Sequence, residues 1–390
     1  MRRLVTGTLL LVATSSIAAA QSANRLSLPA QLEGKVMPAI TVPDLTPPGP
    51  GTGFNNPIYQ SPPGMGLDGV ARLFMLDDEG YVTSGCTGTL LYTGWDVLTA
   101  AHCISDGHGN LSAAGVNVGF LNPDGGVTKY NSRSLYFKPG YGDTGDAIDP
   151  NDLAIVRLDR QADPWITRYK LASGSSLFEQ ALFAGFGLTG NGETGGYHGT
   201  LFNELINHTS PVRRYGFNSW DSTIDLDYIY NYDGSAVMIS DFDGPDPYYN
   251  SICSYWGANF DIGQTNPYGL SSGNIAQLCG TSYGDREVAI GSGDSGGPGF
   301  VLQGGELRVA GVASWGTVAC FEYNEAGECV DVRGGYFGAV AGHVSTTWAD
   351  NRNWITATTV PEPGTIVLLA TGLGLLLGVV VVRRRSAAAI

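Results

Sequence analysis

An all-β fold of many short strands, arranged as a barrel or a sandwich, is the architecture this sequence predicts, and three observations carry the prediction. Apolar runs of a few residues recur along the middle of the chain, each closed by glycine or by Asp and Asn. Glycine (56 residues) and proline (20) are abundant while charged residues make up only 15%, the balance of a turn-rich β protein and not of a helical bundle. No long amphipathic helical period interrupts the runs before the stretch 343–355, and no fixed-period repeat is present. All-β domains often use roughly 200 to 250 residues as one unit. A chain of 390 therefore fits one such domain with segments at both ends. A net charge of -15 and a pI near 4.6 leave no basic face to displace counterions from phosphates, which argues against nucleic acid as a partner.

In chain order, Arg2 and Arg3 precede an apolar run and then Ala18, Ala19 and Ala20. Charge, apolar core and small residues in that order predict a secretion signal over residues 1–20, cut after Ala20. The run is too short to span a bilayer, so no anchoring helix is expected there. Residues 21–65 are rich in Pro, Gly and Asn without sustained periodicity, as in Thr46-Pro47-Pro48-Gly49-Pro50-Gly51, and read as an extended arm or pro-segment that adds nothing to the core. Short strands are expected from there on, at 70–76, 89–92, 153–158, 182–187, 299–302, 309–315 and 335–340. Export takes the 6 Cys out of the reducing cytosol, and their even number then predicts disulfides.

Chemistry is concentrated in Gly291-Ser292-Gly293-Asp294-Ser295-Gly296-Gly297-Pro298. Its glycines permit a tight turn that presents the Ser295 hydroxyl and lets a substrate carbonyl come close. A serine hydroxyl is a weak nucleophile alone; it needs a histidine as general base and a carboxylate to fix that histidine's tautomer. Two upstream motifs offer them, Leu98-Thr99-Ala100-Ala101-His102-Cys103 and Asp152-Leu153-Ala154-Ile155-Val156-Arg157-Leu158. With these three motifs in the order histidine, aspartate, serine, residues 70–355 resemble the trypsin and chymotrypsin family of serine proteases. The resemblance implies a double six-stranded antiparallel β-barrel with a short C-terminal helix, over residues 66–357. It makes Ser295 the nucleophile, His102 the acid–base, Asp152 its orienter, and the backbone amides of Gly293 and Ser295 an oxyanion hole. His108, His198, His208 and His343 read as surface residues.

The same resemblance pairs Cys86, in Ser84-Gly85-Cys86-Thr87-Gly88-Thr89-Leu90-Leu91, with Cys103 as the family's histidine-loop disulfide, a staple between the histidine's turn and the adjacent strand. Cys253 with Cys279, and Cys320 with Cys329, are the remaining pairs. Two features depart from the family. Its members usually expose an Ile-Val-Gly-Gly type N-terminus whose ammonium pairs with the aspartate beside the nucleophile, here Asp294. No such tetrapeptide precedes Cys86, and Ile58, the nearest candidate, lacks the glycines. Either another group neutralises Asp294 or maturation takes a different route. Gly291 stands where many members have a cysteine that braces the specificity pocket, a role that Cys320 and Cys329 would take locally.

In the family the pocket floor lies six residues before the nucleophile, here Ala289. Its walls come from Ser314-Trp315-Gly316 and a glycine of the last barrel strand, for which Gly335 fits. A floor without a carboxylate gives Arg or Lys no counter-charge against desolvation, so an apolar side chain is the expected preference. Between Gly185-Phe186-Gly187, similar to the family's Gly-Trp-Gly, and Cys253 lies a long insertion rich in Tyr and Asp. Its Asp241-Phe242-Asp243-Gly244-Pro245-Asp246 offers hard oxygens for a structural Ca2+ but lacks the spacing of a known calcium loop; a solvated acidic loop is the favoured reading. No other cofactor or metal is expected.

At the C-terminus Val360-Pro361-Glu362-Pro363-Gly364 leads into an uncharged stretch, 365–382, about long enough to cross the hydrocarbon layer and closed by Arg383, Arg384 and Arg385. Residues 358–390 thus resemble the bacterial PEP-CTERM sorting tail. That implies a transmembrane span held transiently in the inner membrane, an exosortase as processing partner, and a mature protein at the cell surface or outside the cell. The expected function is that of an exported serine endopeptidase acting on protein or peptide substrates. The alternative from another class is a catalytically silent surface module of the same fold that binds partner proteins, against which the complete triad argues.

Overall fold

The structure, a computed structural model, describes residues 41–45, 57–143, 148–196, 212–223, 236–244, 249–252, 283–323 and 329–359. Strand β1 (Thr41–Val42) precedes a first barrel made of β2 (Val70–Leu76), β3 (Val82–Leu90), β4 (Asp96–Thr99), β5 (Gly115–Leu121), β6 (Val127–Phe137) and β7 (Ala154–Leu158). The barrel closes in the order β2-β3-β4-β7-β6-β5, every pair antiparallel. Alternation drives it: in β5, Val116, Val118 and Phe120 are buried while the alternating Gly115, Asn117 and Gly119 are partly exposed. Closure leaves no unpaired edge.

After β8 (Lys170–Leu171) the chain enters the second unit. Its strands are β9 (Gln180–Gly185), β10 (Gly190–Asn191), β11 (Gly195–Gly196), β12 (Arg214–Ser219), β13 (Ser222–Thr223), β14 (Val237–Asp241), β15 (Pro298–Gln303), β16 (Glu306–Gly316), β17 (Val318–Tyr323), β18 (Cys329–Gly334) and β19 (Val340–Ser345). The main sheet runs β12-β9-β15-β16-β19-β14-β13, and β8 joins β16 in parallel. Where a second closed six-stranded barrel was expected, this is a half-barrel. Its two edges, β12 and β13, are nonetheless consecutive in the chain, separated only by the corner at Trp220 and Asp221. One bent stretch pairs with β9 before the corner and with β14 after it. The buried Trp220 fills the corner, its ring 5.7 Å from that of Phe183.

Helix α1 (Ala349–Thr359) ends the described chain. It starts later than expected because residues 343–345 still belong to β19. The strand expected at 335–340 is displaced for a related reason: Gly335 and Gly338 hold left-handed backbone, φ 65 and 83, which ends extended pairing there. His343, expected at the surface, is fully buried on β19, its ring 4.3 Å from that of Phe183 and 5.6 Å from that of Trp220. Lys138, also buried, donates to Asn351 Oδ1 and Asn151 Oδ1, each at 2.7 Å, and pairs with Asp350 at 2.5 Å, which fastens α1 to the first barrel.

One apolar core runs through both units: Leu73, Val118 and Ile155 of the first share a cluster with Leu182, Phe300 and Val344 of the second and Ile355 of α1. Contrary to expectation, the arm adds to the core. Thr41, Val42, Tyr59, Ser61 and Met65 are buried, because β1 pairs with β10 and the Ser61 N–H donates to Arg213 O at 2.8 Å. Among the described residues no helix is long and apolar enough to cross a membrane. The expected span 365–382 and the expected signal 1–20 lie outside them.

Candidate active site

The site lies where the first barrel meets the second unit. His102 sits in a single 3-10 turn (Ala101–Cys103) just after β4, and Asp152 lies two residues before β7. Since β4 and β7 pair side by side, with Thr99 opposite Ala154, the sheet brings the two side chains together. Asp152 Oδ2 lies 2.7 Å from His102 Nδ1, and Asp152 Oδ1 accepts the His102 backbone N–H at 2.8 Å. The expected disulfide Cys86–Cys103 ties the turn to β3. A third donor, Ser314 Oγ on β16, reaches Asp152 Oδ2 at 2.5 Å.

Burial opposes ionisation of Asp152, but the His102 charge and the hydrogen bonds from His102 and Ser314 outweigh it and hold the carboxyl below its ordinary range. For His102, desolvation pulls the pKa down, while the charge and hydrogen bond of Asp152 win and raise it above 6.5. With Asp152 ionised, Nδ1 carries the proton. The His102 side chain is 32% exposed and that of Asp152 4%, so the imidazole faces the open side and the carboxylate the interior.

Ser295, half-buried, lies in a turn stapled to both units. The Thr87 N–H donates to Ser295 O at 2.9 Å and Thr87 Oγ1 to Gly293 O at 2.9 Å, while the Gly296 N–H donates to Ala313 O at 2.7 Å. Thr87 adjoins the disulfide and Ala313 adjoins Ser314, so the serine's turn is registered to the strands that hold the histidine and its carboxylate. A Cβ on Gly296 would collide with Thr99 Oγ1 and Thr87 O. The Asp294 and Gly297 amides donate to Gly291 O and Asp294 O; among the described residues, those of Gly293 and Ser295 meet no acceptor.

Asp294 is buried, its oxygens accepting the Gly187 N–H at 2.8 Å and the Gly291 N–H at 2.9 Å. Burial still pushes its pKa up to about 7. A Cβ on Gly185 or Gly187 would run into its carboxylate, which explains Gly185-Phe186-Gly187: the motif is the seat of Asp294.

Ala289 is buried and packs with Phe242 and Phe337, whose rings lie 5.0 Å apart. Trp315 and Gly316 end β16, Trp315 partly buried and Gly316 exposed. Ser314, whose hydroxyl donates to Asp152, keeps its place on β16 beside Trp315. One expectation about the pocket walls needs correction. Gly335 is not on the last strand but follows β18, against Thr41; the glycine facing Trp315 is Gly342 of β19, where a Cβ would strike the indole.

The solvated acidic loop is also corrected. Asp241 and Asp243 are buried because Phe242 between them packs on Ala289 and Phe337 and draws both inward. Asp241 Oδ2 accepts the Ile252 N–H at 2.8 Å. The Asp243 N–H donates to Glu287 Oε1 at 2.5 Å and the Tyr283 N–H to Glu287 Oε2 at 2.8 Å. Burial pushes Asp241 up to about 6 and Asp243 up to about 7. Asp246, Cys253, Cys279, His198 and His208 lie outside the described residues, as do the side chains of Cys320 and Cys329, whose strands β17 and β18 form a hairpin. His108 is exposed as expected.

Sequence reasoning missed the tasks of Thr87, Ser314 and β1. Thr87 had a signal, its place beside Cys86; the other two depend on partners far along the chain.

Residues 74–218 match the trypsin family, a span that takes in His102 and Asp152 and stops short of Ser295, and residues 359–385 match the PEP-CTERM protein-sorting motif. Among solved structures the chain is similar to mouse neuropsin, a serine protease expressed in the limbic system of the brain, at 15% identity and a TM-score of 0.44, over 77% of this chain and 98% of that one. No curated protein matches. The trypsin match supports a protease fold and a peptidase, and the sorting motif implies export and sorting to the cell surface.

Proposed function

We propose that this chain is an exported serine endopeptidase in which Ser295, His102 and Asp152 form the catalytic triad. The observation that carries the reading is the two-point hold of Asp152 on His102, through Nδ1 at 2.7 Å and the backbone N–H at 2.8 Å, inside a stretch that matches the trypsin family. With the proton fixed on Nδ1, Nε2 is left as base. It takes the Ser295 proton as Oγ attacks the substrate carbonyl, and the oxyanion accepts from the Gly293 and Ser295 amides. His102 then returns the proton to the leaving amine, an acyl-enzyme forms on Ser295, and water activated by the same Nε2 releases the acid.

An apolar preference at the bond cleaved is part of the proposal. Ala289 sits among Phe242 and Phe337 and itself carries no carboxylate, so an entering Arg or Lys gets no counter-charge from the pocket floor. The tail is proposed to anchor the chain briefly in the inner membrane until an exosortase removes it. A fluorophosphonate tests the whole reading. It is expected to label Ser295 in a secreted form lacking residues 1–20 and the tail, with labelling and hydrolysis of Phe, Tyr or Leu peptides lost in Ser295→Ala and in His102→Ala. Hydrolysis that persists in pure Ser295→Ala protein refutes the triad, and a dominant Arg or Lys preference refutes the pocket.

A further inference from the structure

The protease reading leaves β1 without a task, yet its two residues are fully buried and its backbone is bound on both sides. Thr41 pairs in parallel with Gly190 and Val42 with Asn191, and the Gly192 N–H donates to Val42 O at 3.0 Å. On the opposite side the Thr41 N–H donates to Ala289 O at 3.4 Å. The Thr41 side chain occupies the space that a Cβ on Gly335 would need.

Three loops therefore meet on this strand, and each leads to the candidate site. The first, at β10, follows Gly185-Phe186-Gly187, the seat of Asp294, and between them the Leu188 N–H donates to Ser292 O at 2.8 Å. The second contains Ala289, the candidate pocket floor, and runs through Ile290 into the turn that carries Ser295. The third starts at Gly335 and reaches Phe337, which packs against Ala289 and donates its N–H to Gly192 O at 2.6 Å. A strand bonded through its backbone on both sides sets the spacing of what it joins without using any charge. Asp294, for its part, already accepts an amide on each oxygen.

We propose that Thr41–Val42 is an internal positioning strand that holds the pocket floor and the nucleophile turn in working geometry, so that the active protein keeps residues 41–42 and needs no newly freed N-terminus beside Asp294. The proposal rests on the protease reading. The mature chain then starts ahead of Ile40.

Three measurements on the secreted chain test it. N-terminal sequencing of the fluorophosphonate-labelled natural form is expected to find a start ahead of Ile40, with no new amino group at the strand; a labelled form starting at Ile40 or later overturns the proposal. A chain lacking residues 21–42 is expected to lose about 100-fold in kcat/KM, the scale of a small misplacement of reacting groups. The acetylated peptide Ile-Thr-Val-Pro-Asp, residues 40–44, which carries no ammonium, is expected to restore at least about tenfold of that, saturably, since a strand held by backbone bonds can be supplied separately. Full activity without residues 21–42, or no rescue of a truncated chain that still melts cooperatively, overturns it. Should the truncated chain not fold, Thr41→Pro in the full chain removes the N–H given to Ala289 O together with the Thr41 side chain at Gly335. Its kcat is expected to fall while melting changes little, and an unchanged kcat overturns the proposal. If the natural full chain takes no probe at all, it is the protease reading that has failed.

Discussion

His102 sets the pH dependence of any chemistry at this site. It must be neutral to act as base, and Asp152 raises its pKa above 6.5 against the pull of burial. The acid limb of kcat/KM is therefore expected to fall above pH 6.5. Ser314→Ala removes a donor from Asp152, leaves the carboxylate a stronger acceptor for His102, and is expected to move that limb to still higher pH; a limb that moves down would contradict the assigned role. His343 behaves in the opposite sense. Buried among Phe183 and Trp220, with no hydrogen-bond partner for either ring nitrogen among the described residues, it is driven down to about 3. Below pH 6.5 the unfolded chain takes up a proton that the folded chain refuses, so stability drains away as pH falls from 6.5 toward 3, by at most about 1.4 kcal/mol per unit. Asp241 and Asp243, raised to about 6 and about 7, act against this, since the folded chain holds their protons as pH rises from the ordinary carboxylate range through those values. His343→Leu isolates the histidine's share. Its stability relative to the parent chain is expected to improve steadily from pH 7 to 4 in chemical denaturation, and a pH-independent difference would contradict the assignment.

The turn Ala101–Cys103 and its staple show what one element contributes. Cys86 and Cys103 are 17 residues apart. Closing a loop of about that size stabilises by about 3 kcal/mol in the chain-entropy account. The double variant Cys86→Ala with Cys103→Ala is expected to lose roughly that much in urea titration, and to lose kcat as well, because β3 also carries Thr87, which holds the serine's turn. Loss of stability without loss of kcat would mean that the staple does not position His102. This staple was legible in the sequence because both cysteines lie in recognisable local motifs. Strands were legible where apolar runs end at turns: the run expected at 70–76 is β2. The run at 335–340 misled because its glycines, which look like strand interior in a hydropathy pattern, carry positive φ.

At the scale of the molecule the two units are joined by a buried ion pair as well as by the shared core. Arg213, fully buried just before β12, donates to Asp68 Oδ1 at 3.1 Å and to Ser61 O at 3.3 Å, both ahead of the first barrel. Asp68→Ala strands a guanidinium without its counter-charge and is expected to cost about 3 to 5 kcal/mol, whereas Asp68→Leu with Arg213→Met should recover most of it. Equal destabilisation in both would show that packing, not charge, dominates the joint.

Composition and motif determined by themselves that the chain is all-β and that His102 and Asp152 are candidates for one site, while resemblance to known families supplied the Cys86–Cys103 pairing and the sorting tail. Each of these is written in neighbouring residues or in overall balance. Only the tertiary structure decided that Ser314 serves Asp152, that the Gly187 and Gly291 amides satisfy Asp294, that Asp241, Asp243 and His343 are buried, and that the arm contributes β1. The reason is physical. A polar side chain's partner and its distance from water are set by strand register and by packing between stretches of chain far apart in sequence, as when Asp152 meets Ser314 or Thr41 meets Ala289, and a local pattern carries no record of either.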